Sequence, residues 1–300
     1  MASKVYFTID PTQAAALFEA AGFDQIITPD DSVALKIHFG EPGNTAYLKP
    51  DQVRGVTESI VKLGGKPFYT DCNTLYKGPR DNTKDHLEVA RQHGFTNAII
   101  PEENDCEQVE VNLKHFKKVF LGGPAVRAKA LIALTHFKGH DTTGFGGTLK
   151  NLGMGLGTRL GKLRMHQDCK NCPELKTCKK NQTIESCWVG SPTLVQEKMV
   201  EYAFGAVKDK KSKVGYFNFI INVTPNCDCY DRSDPPIVPD IGILASFDPV
   251  AIDQASIDLV NQAGGHDMFK KLYPNVDWTV QLKYAEEIGL GSRKYELVVK

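Results

Sequence analysis

Short apolar, β-branched runs alternate along the chain with longer stretches whose apolar residues recur at helical spacing. Runs at Lys4–Ile9, Val33–His38, Pro67–Asp71, Leu131–Phe137, Val214–Asn222 and Ile241–Ser246 predict strands. The helices between them have readable ends. Asp10-Pro11 offers an N-cap and a first-turn proline, and Gly22 a stop. From Pro50 to Leu63, the residues Val53, Val56, Ile60 and Leu63 share one face before Gly64-Gly65 ends the helix. Ser191-Pro192 and Asp248-Pro249 open two more, the second running to Gly264-Gly265. Strands alternating with capped helices predict an α/β fold, a mostly parallel sheet flanked by helices. Val109–Leu113 and Lys118–Leu121 add a hairpin or an edge.

One stretch breaks this pattern. From Met165 to Trp188 the chain is polar, lacks a steady period and holds four of the eight cysteines. The expected organisation is a discontinuous α/β domain, residues 1–164 and 189–300, with a cysteine-rich metal-binding insert at 165–188.

Charge narrows the function classes. Thirty-six basic and 36 acidic residues balance to zero, which argues against nucleic acid or an anionic membrane as partner. No apolar run approaches the roughly 18–20 residues of a membrane span. The opening MASKVYFTID has no apolar signal segment, so a cytoplasmic location is expected. In that compartment eight cysteines point to metal or redox chemistry more than to a disulfide framework.

Ligands of parallel sheets bind outside the carboxyl ends of the strands. The loops predicted there carry Lys36 to Glu41, Thr70 to Thr74, Thr135 to His140, Asn222 to Cys229, and Ser246 to Asp248. Asp71, His136, His140 and Lys36 are the catalytic candidates at that edge. The glycine-rich loop after the fourth strand makes Lys138, Gly144, Gly146, Gly147 and Lys150 candidates for anion binding, because glycine amides and a helix start attract negative charge. It lacks the P-loop lysine motif, and a tight packed loop is the competing reading.

Cys169-x2-Cys172-x5-Cys178-x8-Cys187 places four thiols in a segment without its own core. Four thiolates suit an iron–sulfur cluster or tetrahedral zinc, and spacing alone leaves both open, with disulfides third. Cys227 and Cys229, with His136 and His140, offer ligands for a second metal ion. The plainer alternative has each histidine bonded to a carbonyl and each cysteine filling a small buried space. Cys72 and Cys106 read as structural thiols.

The strings KIHFGEPGNT, TDCNTLYKGPR, THFKGHDTTGFGGTLKNLGMG, NVTPNCDCYD and VPDIGILASFDPVAIDQAS together resemble the iron–sulfur-centre proteins of domain of unknown function 362. The resemblance runs from His38 to the Glu287–Leu297 segment and implies a prokaryotic protein. Members carry an insert with two four-cysteine runs, which implies two [4Fe–4S] clusters. This chain keeps one set, with altered spacing, so the resemblance implies one [4Fe–4S] cluster on Cys169, Cys172, Cys178 and Cys187, with zinc as the competitor.

The expected function is a redox enzyme in which the cluster serves a small anionic substrate, or a second metal, in the crevice. A non-catalytic electron carrier that docks a redox partner protein is one alternative, and a metal-binding scaffold is another. The third is a metal-dependent hydrolase or lyase with structural zinc in the cysteine module.

Overall fold

The computed structural model describes residues 2–179, 184, 186–210 and 212–300. Its strands are β1 (Ser3–Thr8), β2 (Ser32–Lys36), β3 (Lys66–Thr70), β4 (Ala98–Ile99), β5 (Cys106–Glu110) and β6 (Lys118–Gly122). They continue as β7 (Ala130–His136), β8 (Lys138–His140), β9 (Gly144–Gly146), β10 (Val214–Ile220), β11 (Gly242–Ser246) and β12 (Tyr295–Val299). The helices are α1 (Ala14–Ala21), α2 (Pro50–Lys62), α3 (Thr83–Gln92), α4 (Gly123–Arg127), α5 (Thr148–Leu156) and α6 (Arg159–His166). After the cysteine segment come α7 (Pro192–Val207), α8 (Pro249–Gly264), α9 (Met268–Leu272) and α10 (Thr279–Glu287).

Eight strands form one sheet in the order β12-β1-β11-β10-β7-β2-β3-β4, parallel except for β11, which runs against both neighbours. Strands β7, β10 and β11 are buried along their whole length. A strand covered on both faces must be apolar on both, which is why these segments read as continuous hydrophobic runs. Alternate residues divide between two cores. Leu35, Ile132, Leu134, Phe217 and Phe219 pack with Phe18 of α1 and Val56 of α2. Ala34, Leu131, Ala133 and Leu244 pack with Leu152 of α5, Met199 of α7 and Ile252 of α8. The α/β architecture is therefore as expected, and β5 and β6 pair as a separate hairpin.

The capping residues also hold. Ser191 Oγ accepts the Leu194 amide, Asp248 accepts those of Val250 and Ala251, and Gly22 and Gly265 end their helices with φ of +82° and +74°. The first helix begins later than the proline signal suggested, at Ala14, because the Asp10 carboxylate takes the Thr12 amide and hydroxyl and forms a turn first. A second correction concerns direction. Because β11 is reversed, Ser246-Phe247-Asp248 lies at the opposite edge of the sheet from the other loops, where Asp248 accepts bonds from Ser3 and Ser292.

Helix α6 carries Met165, fully buried, and continues to His166, so the irregular segment starts two residues later than the composition suggested. The Gly190 amide donates to the His166 carbonyl at 2.7 Å and closes the base of that segment. Between them the described residues form turns without helix or strand. Among the described residues no helix is long and apolar enough to cross a membrane.

Candidate functional site

The carboxyl ends of β2, β3 and β7 and the loop after β10 open onto a cavity of about 560 Å³, closed on the other side by α5 and α6. The crevice rule for parallel strands places it there. His140, from the β8–β9 hairpin, meets Cys227 and Cys229 from the loop after β10. One potential ligand atom from each lies within 4.8 Å of the others. Cys227 is buried, while His140 and Cys229 face the cavity.

Asp228 explains why this turn holds its shape. Its carboxylate accepts His136 Nδ1 at 2.9 Å and Lys138 Nζ at 3.1 Å, and its carbonyl accepts the Glu41 amide at 3.0 Å. Burial works to raise the Asp228 carboxyl, but His136 and Lys138 outweigh it and hold it well below the usual range. His136 is thereby committed. Its Nε2 lies 2.9 Å from the Ile221 carbonyl, so both ring nitrogens are engaged by oxygen acceptors, and the side chain does not line the cavity. The expectation of His136 as a ligand or catalytic group gives way to a positioning role.

The thiols are set against each other. A hydrogen bond from Cys229, reinforced by Lys150, holds Cys227 well below the ordinary thiol range despite burial. The same shared proton, with burial, holds Cys229 well above it. Lys150 Nζ lies 3.3 Å from Cys227 Sγ. Burial, then the Lys150 charge, pulls His140 down to about 4, so its imidazole is neutral at pH 7. Its Nδ1 accepts the Thr142 and Thr143 amides, both at 3.2 Å. An ion at Nδ1 replaces two long bonds, and one at Nε2 displaces a proton. One imidazole and two thiolates suit zinc or iron and leave a fourth position open.

The other end of the cavity is a buried ion network. Lys36 Nζ is 3.1 Å from Asp71 Oδ1 and donates to Asn151 Oδ1 and the Ile37 carbonyl, which uses all three of its N–H groups. Lys36 therefore braces β2 against α5 and has no donor left for a substrate. Arg80 binds Glu41 at 2.9 Å and the Tyr76 hydroxyl at 2.6 Å, with Asp71 at 3.7 Å. Burial favours the neutral Asp71 carboxyl, but Lys36, His86, Lys162 and Arg80 lower it below the usual range. His38 faces the cavity with Nδ1 accepting the Gly40 amide at 3.0 Å. Burial, together with Arg80, Lys138, Lys36 and Lys150, holds it well below the usual histidine range.

The glycine loop behaves differently from its anion-binding expectation. Gly146 and Gly147 line the cavity, but Gly144 backs onto Trp278. The first amides of α5, Thr148 and Leu149, already donate to Asp253 of α8 at 2.7 and 2.9 Å. The anion at this helix start belongs to the protein itself. Burial pushes the Asp253 carboxyl up to about 6.

The four-cysteine set is not convergent. Among the described residues, no three of Cys169, Cys172, Cys178 and Cys187 bring their sulfurs within 4.8 Å of one another. Tetrahedral zinc with bonds of about 2.3 Å needs sulfurs about 3.8 Å apart, whereas a multi-iron cluster spreads its thiolates more widely. Cys187 packs with Leu75 and Leu163. His166 and Trp188, whose rings lie 4.4 Å apart, carry the module to the cavity wall.

Arg80, His38, Asp228 and Lys162 escaped the sequence-based selection. Asp228 had a signal in its place between two cysteines, and Arg80 and His38 lay in polar loops. Lys162, on α6, looked like any helical lysine.

No curated protein matches this chain at a significant level. Among solved structures it is similar to the lactate racemase apoprotein from Thermoanaerobacterium thermosaccharolyticum, with TM-score 0.43 and 13% identity over 73% of this chain and 51% of that one. It is also similar to a protein from Thermotoga maritima, with TM-score 0.46 and 8% identity over 86% of this chain and 59% of that one. This chain thus spans between half and three-fifths of the solved chains it matches, and likeness at this level carries no argument about chemistry. The family model is decisive where these are not: it matches residues 33–258, and the chain belongs to the family described as Domain of unknown function (DUF362).

Proposed function

We propose that the chain is a metal-dependent enzyme in which His140, Cys227 and Cys229 hold one zinc or iron ion beside a small anionic substrate. The observation that carries this reading is the convergence of those three ligand atoms at a cavity lined by Lys36, Lys138, Lys150, Lys162 and Arg80. A bound ion supplies Lewis-acid polarisation or a more acidic coordinated water. The chain supplies the rest. Asp228 and His136 fix the cysteine turn, and Lys138 and Lys150 orient the anion. Asp71, kept as a carboxylate, accepts a proton. His38, with Nδ1 occupied by Gly40, presents an Nε2–H donor.

A second reading adds one [4Fe–4S] cluster in the cysteine module and makes the protein an oxidoreductase. The wall position of His166 and Trp188 favours it, since a cluster in that segment would lie beside the substrate. Anaerobic protein with about four iron and four sulfide per chain supports it, and stoichiometric zinc without sulfide overturns it.

The primary reading is tested by zinc competition against a chromogenic chelator. In protein with Cys169, Cys172, Cys178 and Cys187 all changed to Ser, about one ion per chain should bind, and adding His140→Ala or Cys229→Ser should weaken binding at least tenfold. Failure of the wild type to take zinc or ferrous iron would contradict it.

A further inference from the structure

Charge balance in the cavity says more about the substrate than its size does. Three of its five cations have buried acidic partners: Lys36 with Asp71, Arg80 with Glu41, and Lys138 with Asp228. Lys150 has one hydrogen-bond partner among the described residues, the Cys227 sulfur, with Cys229 and Asp228 acting on it from further away. Lys162, 7% exposed, donates to the carbonyls of Gly157 at 2.6 Å and Cys72 at 3.3 Å, and no carboxylate oxygen lies within 4.0 Å of it among the described residues. Asp141 also lines the cavity, but its side chain is half exposed, held by Tyr230 and Thr142, and screened by water. His38 and His166 are held on the neutral side by burial and add no charge at pH 7.

A divalent ion alters this balance. Bound to two thiolates and a neutral imidazole, it is neutralised by its own ligands, and Lys150 then no longer has Cys227 as counter-charge. Two buried ammonium groups, Lys150 and Lys162, then have no carboxylate in contact among the described residues; Asp71 acts on Lys162, and Asp228 and Asp141 on Lys150, only from beyond 4.0 Å. An uncompensated buried charge is costly enough that such groups are normally paired. Donor capacity agrees. An ammonium has three N–H groups. Lys36 has used all of its own, whereas Lys162 retains one and Lys150 two among the described residues.

We infer that the metal-loaded cavity takes a ligand carrying two negative charges, one compensated by Lys150 beside the ion and the other by Lys162 on α6. Dicarboxylates and phosphate monoesters share this chemistry. The inference rests on the metal reading above, and the experiment separates the two.

Zinc binding is measured first; protein that takes no zinc defeats the metal reading itself. With zinc bound, calorimetric titration compares acetate, succinate and inorganic phosphate. At least one dianion should bind ten times more tightly than acetate. Tighter binding of succinate than of phosphate places the charges on separate groups, and the reverse places them on one. Zinc-free protein, in which Lys150 Nζ keeps its contact with Cys227 Sγ, should show a smaller preference. Lys162→Met should abolish the preference and Lys162→Arg should retain it. The wild-type comparison stands even if the methionine variant folds poorly. Equal affinity for acetate and both dianions in zinc-loaded protein overturns the inference and leaves the metal reading intact.

Discussion

The chain's two cysteine groups teach different lessons. Cys227 and Cys229 flank a residue buried beneath the sheet edge, and Asp228 ties their turn to His136, Lys138 and the Glu41 backbone. Their sulfurs and a ring nitrogen of His140 lie within 4.8 Å of one another. Among the described residues of the 169–187 segment, the turns rest on local bonds such as Leu175 N–H to the Cys172 carbonyl at 3.3 Å, and Cys187 packs in a small apolar cluster. Where the core supplies the framework, ligands are preorganised. Where it does not, metal–thiolate bonds must supply the folding energy themselves.

The strongest way to break this contrast is to remove the tie. Asp228→Ala leaves His136 and Lys138 buried without their carboxylate and should cost about 3–5 kcal/mol of unfolding free energy in urea titrations. It should also weaken zinc in the crevice, although Asp228 is not a ligand. A loss below about 1 kcal/mol would show that the turn holds its shape by other means.

Acidification gives the next largest effect. Burial holds His86 and His166 down to about 3 and His140 to about 4, so these rings stay neutral in the folded chain and protonate readily in the unfolded one. Their stabilisation is fully present above about pH 6.5 and is lost as pH falls toward 4 and 3. Asp253 acts in the opposite sense. Its carboxyl, raised to about 6, favours the folded state most below about pH 4, and that contribution is lost as pH rises through 6. Thermal melts should therefore show stability falling from pH 7 to pH 4, and falling more steeply in Asp253→Asn. The difference between the two curves should be about 1–3 kcal/mol across that window. Parallel curves would mean that Asp253 titrates normally.

The smallest effect on global stability should come from the module. Cys178→Ser is expected to change the unfolding free energy of the domain by less than about 0.5 kcal/mol, as for substitutions away from the core. It should nevertheless make the 167–189 segment sensitive to limited proteolysis in metal-loaded protein. Co-unfolding of the whole chain would show that the module and sheet form one cooperative unit.

Much of the fold was legible because apolar period and caps are local properties. Runs such as Leu131–Phe137 and Val214–Asn222 could hardly be anything but buried strands, and Ser191-Pro192 fixed a helix start. Strand direction is not local: nothing in Ile241–Ser246 reveals that β11 runs backwards, which misplaced Ser246 to Asp248. The site was half legible for the same reason. The crevice rule brought Asp71, His140, Lys150, Cys227 and Cys229 to one edge. It did not show that Asp253, 105 residues beyond Thr148, fills the α5 start, or that Lys36 is fully engaged. Those facts depend on which distant side chain arrives first.

The central claim is that three ligands hold one ion and leave a position open toward the cationic cavity. Cobalt(II) titration of the variant with Cys169, Cys172, Cys178 and Cys187 all changed to Ser tests it most directly, because only the crevice thiols then remain near a ligand set. About one equivalent should bind with thiolate-to-cobalt absorption in the near ultraviolet, and a small anion such as succinate should shift the visible bands of the metal. Absorption lost with the module cysteines, or bands indifferent to any anion, would contradict the account.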